Sequence, residues 1–165
     1  MKITNPKYVI LKNRVVINKY SWLLTLQINE KKPELIFDDD AIIGHFNHIT
    51  CVNRVYIGKN VLTADRVYIT DNYHGYEDID MPISKQPVKS KGEVIIGDET
   101  WIGDNVSIIS CKIGKHCVIG ANSVVNRDIP DYCIAVGAPA KIVKRYNFQS
   151  EKWEKTNEKG EFINE

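Results

Sequence analysis

The chain has 165 residues, 43% of them hydrophobic, enough for one domain that buries roughly 70% of its unfolded surface and too few for a second full one. Its 22 basic and 21 acidic residues give a formal net charge of +1, which excludes a general electrostatic attraction to nucleic acid or to an anionic membrane. No apolar run approaches 18 residues, the early run 20–28 is broken by Ser, Thr and Gln, and Cys51, Cys111, Cys117 and Cys133 form no CxxC pair, so the expectation is a cytoplasmic protein without membrane insertion, disulfide framework or zinc ribbon.

Residues 1–34 show strand-like runs at 8–17 and 21–28, broken by Asn13-Arg14 and by the polar stretch 29–33, and read as an irregular N-terminal cap over an open sheet edge. From about residue 35 a beat of six begins. Phe37, Ile43 and Ile49 keep step, and after a two-residue slip so do Ile57, Thr63 and Ile69. Neither a 3.6-residue helix nor a two-residue alternation would hold that interval. The acidic run Asp38-Asp39-Asp40 falls on the turn of the first hexad and reads as a solvated corner.

After Ile69 the beat stops, and residues 75–92 form a long loop containing Pro82 and Pro87. Stacked coils do not need such an excursion and ordering it costs entropy, so chemistry is expected there. His74 stands where the repeat breaks, at the outward last position of its hexad. The beat returns with Ile96-Gly97-Asp98-Glu99-Thr100-Trp101 and Ile102-Gly103-Asp104-Asn105-Val106-Ser107, shortens at Ile108, and continues through Ile113 and Ile119. Trp101 holds the same outward phase as His74. A strict hexad is the mark of an all-β fold, the parallel β-helix, here over 35–146, with three hexads to a coil and about five coils, or roughly 24 Å of stacked strands. Beyond Val125 the pattern frays toward the basic pair Lys144-Arg145. The C-terminal tail 147–165 carries Phe148, Trp153 and Phe162 around the turn signal Asn157-Glu158-Lys159-Gly160, which suits a small hairpin, an edge-docking segment or a frayed end alike.

The hexads, the run Val67-Tyr68-Ile69-Thr70-Asp71-Asn72-Tyr73-His74-Gly75, the resumption at Ile95-Ile96-Gly97 with Trp101-Ile102-Gly103, and Val136-Gly137-Ala138-Pro139-Ala140-Lys141 together resemble the hexapeptide-repeat acyltransferases. Within them the chain looks most like the O-acetyltransferases that decorate capsular polysaccharide and lipopolysaccharide sugars, and it is similar to the galactoside, maltose and xenobiotic acetyltransferases. The resemblance covers roughly residues 35–146. It implies a left-handed β-helix, where the ordinary crossover rule alone gives a right-handed one, and a homotrimer with active sites between neighbouring prisms.

The same resemblance implies acetyl-CoA as donor and a sugar hydroxyl in surface-polysaccharide biosynthesis as acceptor, with no metal. His74 matches the family's catalytic histidine, and a neutral imidazole with an ordinary pKa of about 6.5 is suited to take the hydroxyl proton. Asp71, Glu77 and Asp78 are each candidates to orient it. Asn47 and His48 fall on the acceptor side, and Trp101 is either a site wall or a packing residue. The coenzyme positions match Ala121, Asn126, Arg127, Gly137, Pro139, Lys141 and Lys144, with Asn126 standing where relatives commonly carry Thr. No cysteine shares the phase of His74, so direct transfer is expected without a covalent acyl-enzyme. Two other readings of the hexads are a γ-class carbonic-anhydrase-like zinc enzyme and a non-catalytic scaffold. The first would need three converging histidines, yet His45, His48, His74 and His116 lack that class's paired spacing, and coenzyme binding would tell against the second.

Overall fold

Short strands that turn a corner every few residues can stack only by laying each strand on its counterpart one coil away, and the computed structural model, which describes residues 1–163, is built so. One face stacks Lys2–Thr4, Trp22–Thr25, His48–Cys51, Tyr68–Thr70, Ser107–Ile109 and Val124–Val125. The second stacks Val9–Leu11, Glu34–Phe37, Arg54–Ile57, Val94–Ile96 and Lys112–Ile113. The third stacks Val16–Ile17, Ile42–Ile43, Leu62–Thr63, Trp101–Ile102, Val118–Ile119 and Cys133–Val136. All pairings among these strands are parallel and in register, for example Ile49 with Ile69, Ile57 with Ile96 and Ile102 with Ile119. The prism has six coils, about 24 Å from first to last at the usual strand spacing.

The hexad openers all face the shared axis. Phe37, Ile43, Ile49, Ile57, Ile69, Ile96, Ile102, Ile108, Ile113 and Ile119 are buried, each contributing about 1.5–3 kcal/mol of apolar burial. Thr63 sits in the same column with its hydroxyl satisfied by the Asn47 amide at 3.1 Å. The glycine after an opener answers to steric crowding: a Cβ on Gly103 would lie 2.8 Å from the Ala121 amide nitrogen of the next coil. Corners are turned by single left-handed residues in matching slots, such as Asp40, Asn60, Glu99 and His116. Carboxylates beside them clamp one coil to another, Asp98 accepting the Lys59 N–H and Asp131 the Lys115 N–H, both at 2.9 Å.

Residues 1–34 are not an irregular cap. Ile3 lies on Leu23, Val9 on Leu35 and Ile17 on Ile43 in parallel register, so this segment forms the first coil and opens the second. Its beat is masked in the sequence by two corner excursions, a 3-10 turn at Pro6–Tyr8 and residues 26–33. The acidic corner also does more than meet solvent. Asp40 pairs with Arg14 at 2.6 Å, Asp39 accepts the Asn13 N–H at 2.9 Å, and Asp38 accepts the Tyr56 hydroxyl at 2.7 Å.

At the other end Lys141–Asn147 reverses direction and pairs antiparallel with Cys133–Val136, and Lys152–Lys155 pairs antiparallel with it in turn. Tyr132, Tyr146, Phe148 and Trp153 pack edge to face across this hairpin. The tail then makes a second turn, closed by a bridge between Thr156 and Phe162, and its last two residues lie outside the described part. Among the described residues no helix is long and apolar enough to cross a membrane.

Candidate active site

The excursion after Ile69 is an arm with its own short antiparallel ladder, Asn72–His74 against Val88–Ser90, which places His74 opposite Val88. It begins three residues earlier than the loop read from sequence. Its base is tied down by side chains. The Ser90 hydroxyl donates to the Asp71 carbonyl at 2.8 Å, and the Asn72 amide donates to the Thr50 hydroxyl at 3.0 Å. Buried Gln86 braces the tip through the Asp78 and Met81 carbonyls, and Gly75 lets the strands close, since a Cβ there would sit 3.0 Å from the Pro87 oxygen. Tyr76, Ile79, Met81 and Ile83 are left exposed around the tip.

Between the arm and the first face lies a cavity of about 240 Å³, lined by Leu24, Leu26, Thr50, Cys51, Val52, Asn72, His74 and Val88. His74 is exposed, and its imidazole has no hydrogen-bond partner among the described residues. A ring held by its backbone but unclaimed at both nitrogens is free to accept a proton from a bound hydroxyl. Thr50, Asn72, Leu24 and Leu26 did not stand out in the sequence. The first two carried only the signal of outward polar residues beside a broken repeat, and the leucines belong to the segment read as a cap.

None of the three acids named as orienting groups reaches the imidazole. Asp71 is fully buried and accepts the backbone N–H groups of Val52, Asn53 and Arg54 at 2.7–2.9 Å, pinning the corner beneath the arm. Glu77 is paired with Lys89 at 2.9 Å, and Asp78 accepts the Asp80 N–H. Cys51 lines the cavity, although the repeat phase separates it from His74. Its side chain is buried, its thiol donates to the Glu34 carbonyl at 3.3 Å, and burial, with the Asp71 charge behind it, pushes its pKa up to about 12. Such a thiol is not a nucleophile at neutral pH.

The acceptor-side residues divide. Asn47 is not available to a ligand: it is 1% exposed, donates to Thr63 and the Ala64 carbonyl at 3.1 Å, and accepts the Val67 N–H. A buried amide that satisfies a corner and an exposed one that grips a sugar look alike in a sequence. His48 is half-buried on the outer side of the first face, stacked on Trp22 at 4.4 Å and tilted against Tyr68. Its Nε2 is buried without a hydrogen-bond partner among the described residues, and burial holds its pKa below the ordinary histidine value. Trp101 stands on the third face, 51% exposed, and does not line the His74 cavity.

The coenzyme candidates collect at the C-terminal end of the prism. Ala121, Asn126, Arg127, Gly137, Pro139, Lys141 and Lys144 are all exposed around the last coil. Arg127, Pro139 and Lys141 share a cavity of about 250 Å³ with Asp128, Ile129, Ala140, Ile142, Glu158 and Lys159. Lys141 is engaged by the Glu158 carboxylate. A larger hollow, about 480 Å³, lies on the second face, but its Asp98, Asp128 and Asp131 are occupied in accepting backbone N–H groups between coils. Among the described residues no three His, Cys, Asp or Glu side chains gather as a metal site.

Residues 93–127 match the family model described as bacterial transferase hexapeptide (six repeats). Over 128 residues, 73% of this chain, the sequence is 36% identical to WbbJ of Escherichia coli (strain K12), named as a lipopolysaccharide biosynthesis O-acetyl transferase. Over 118 residues, 71% of the chain, it is 45% identical to Rv3034c of Mycobacterium tuberculosis (strain ATCC 25618 / H37Rv), named as an acetyltransferase. The chain spans less than two thirds of either relative, 65% of the first and 39% of the second. In structure it is similar to AntD, an N-acyltransferase from Bacillus cereus solved with dTDP and 3-hydroxybutyryl-CoA, with a TM-score of 0.72, 20% identity, and coverage of 90% of this chain and 78% of that one. The chain is a left-handed parallel β-helix that carries the transferase hexapeptide repeat and is related in sequence to proteins named as bacterial acetyltransferases.

Proposed function

We propose that this protein transfers an acetyl group from acetyl-CoA to a sugar hydroxyl, with His74 as general base, in the building of surface polysaccharide. The observation that carries the reading is the unpartnered imidazole of His74 on a braced arm above a cavity, in a chain related to proteins named as acetyltransferases. The sugar O–H gives its proton to the imidazole as the oxygen attacks the thioester carbonyl. The tetrahedral intermediate then expels the coenzyme thiolate, which recovers the proton from the imidazolium. Cys51 is too poor a thiolate to form an acyl-enzyme first, so transfer is direct. Apolar Leu24, Leu26, Val52 and Val88 suit the carbon face of a pyranose, and Thr50 and Asn72 suit its hydroxyls.

The active unit is a homotrimer in this reading. In support, Val16, Ile42, Leu62, Trp101, Val118 and Ile134 stack in register into an outward apolar ladder along the whole third face, which water alone would leave uncovered. A neighbour seated there brings its own arm toward Trp101, so that the site needs two copies. Four free, buried cysteines fit the reducing cytoplasm, where acetyl-CoA is made. The test follows thiol release from acetyl-CoA with a panel of sugars. One acceptor should support turnover, and His74→Ala should lower kcat about 10²- to 10⁴-fold with the oligomer unchanged. Full activity in that variant would remove the base from His74.

A further inference from the structure

The C-terminal turn 157–161 is a built element whose placement the repeat does not explain. The Asn157 side chain accepts the N–H groups of Lys159 and Glu161 at 3.0 and 3.1 Å and donates to the Glu161 carboxylate at 2.7 Å. Gly160 is buried at φ +84°, packed so that a Cβ would lie 3.2 Å from Ile142 Cδ1. Two side chains therefore project from a fixed loop into the cavity that holds Arg127 and Lys141. One is the cation Lys159, the other the anion Glu158, whose carboxylate sits on the Lys141 ammonium. The cavity's remaining acid, Asp128, is turned to the Lys112 N–H at 2.8 Å. Three cations face two carboxylates in one hollow of about 250 Å³, Asp128 held to a backbone N–H and Glu158 resting on Lys141 alone, and a phosphate monoester, small and doubly charged, is able to replace the second of these on its ammonium.

We propose that this turn sets the donor's specificity, with Lys159 joining Arg127 and Lys141 around the coenzyme's ribose 3′-phosphate and Glu158 holding Lys141 until that phosphate displaces it. The proposal rests on the acetyl-CoA reading above. Glu158 is then an internal stand-in for the ligand's charge. A donor without the 3′-phosphate leaves the Glu158–Lys141 pair in place and gains nothing from Lys159.

Titration calorimetry of the whole protein with CoA and with 3′-dephospho-CoA tests this. Lys159→Ala should weaken CoA binding about 3- to 10-fold and leave dephospho-CoA unchanged, whereas Glu158→Gln should tighten CoA about 2- to 5-fold, again without effect on dephospho-CoA. Both residues are solvent-facing, and near-native thermal melting of the variants serves as the folding control. Equal shifts for the two ligands, or none, overturn the role of the turn while leaving acetyl transfer standing. Failure of the unaltered protein to bind either ligand overturns both.

Discussion

His48 shows how a single side chain takes its properties from its stack. Its ring lies flat on Trp22 and its Nε2 is shut away from water with no hydrogen-bond partner among the described residues, so protonation is disfavoured in the folded state. The sign follows from proton counting. In the unfolded chain this histidine titrates near its ordinary value of about 6.5, so below that pH the unfolded state binds more protons than the folded one, and stability falls as pH falls. Melting temperature should therefore drop between pH 7 and pH 5, and His48→Phe, which keeps the stack and removes the titration, should flatten that part of the curve. An unchanged slope would place the acid sensitivity elsewhere. Asn47, its neighbour, shows the opposite limit of residue-level reading. Its place on the acceptor side of the resemblance suggested a ligand contact, but three internal hydrogen bonds account for its polarity.

Among elements, the arm depends on what lies beneath it. Asp71 accepts three successive backbone N–H groups, from Val52 to Arg54, while its own carbonyl receives the Ser90 hydroxyl, so one residue fastens a corner of the third coil and the arm's returning strand. Asp71→Ala strands those donors in a buried place. It should cost about 2–4 kcal/mol of stability, read from denaturant unfolding, and raise amide exchange across 72–90. A loss confined to catalysis, with unfolding unchanged, would contradict that role.

The element scale is also where legibility ends. The hexad openers gave away the three faces from Phe37 onward, because burial at a fixed interval leaves a periodic trace. The first coil escaped notice since two corner excursions put its openers out of step. The partners of Glu77 and Asp78 could not be read, since they come from within an arm that has no period. Handedness was legible only through the family resemblance and not from the residues themselves: strands of two to four residues carry little twist, and twist is what ordinarily selects the crossover's hand.

For the molecule as a whole, the decisive point is that His74 stands on the arm and Trp101 on the third face of the prism, outside the cavity that His74 lines. If a second copy unites them, two damaged proteins can repair each other. His74→Ala and Trp101→Ala, each impaired alone, should on co-refolding restore about a quarter of the parental activity, the share of interfaces at which an intact histidine meets an intact tryptophan under random mixing. No recovery, with native mass spectrometry confirming mixed oligomers, would put both groups within one subunit.

The regular rise of the coils has a further consequence. The arm leaves the fourth coil, and the cation cluster begins on the sixth with Arg127, so about two strand spacings, about 10 Å, separate the two along the axis. The solenoid is in effect a ruler graduated in steps of about 4.8 Å. On the proposed acetyl-CoA reading, adding or losing one coil between those marks would leave both sites chemically intact while misplacing the donor's thioester by a full graduation.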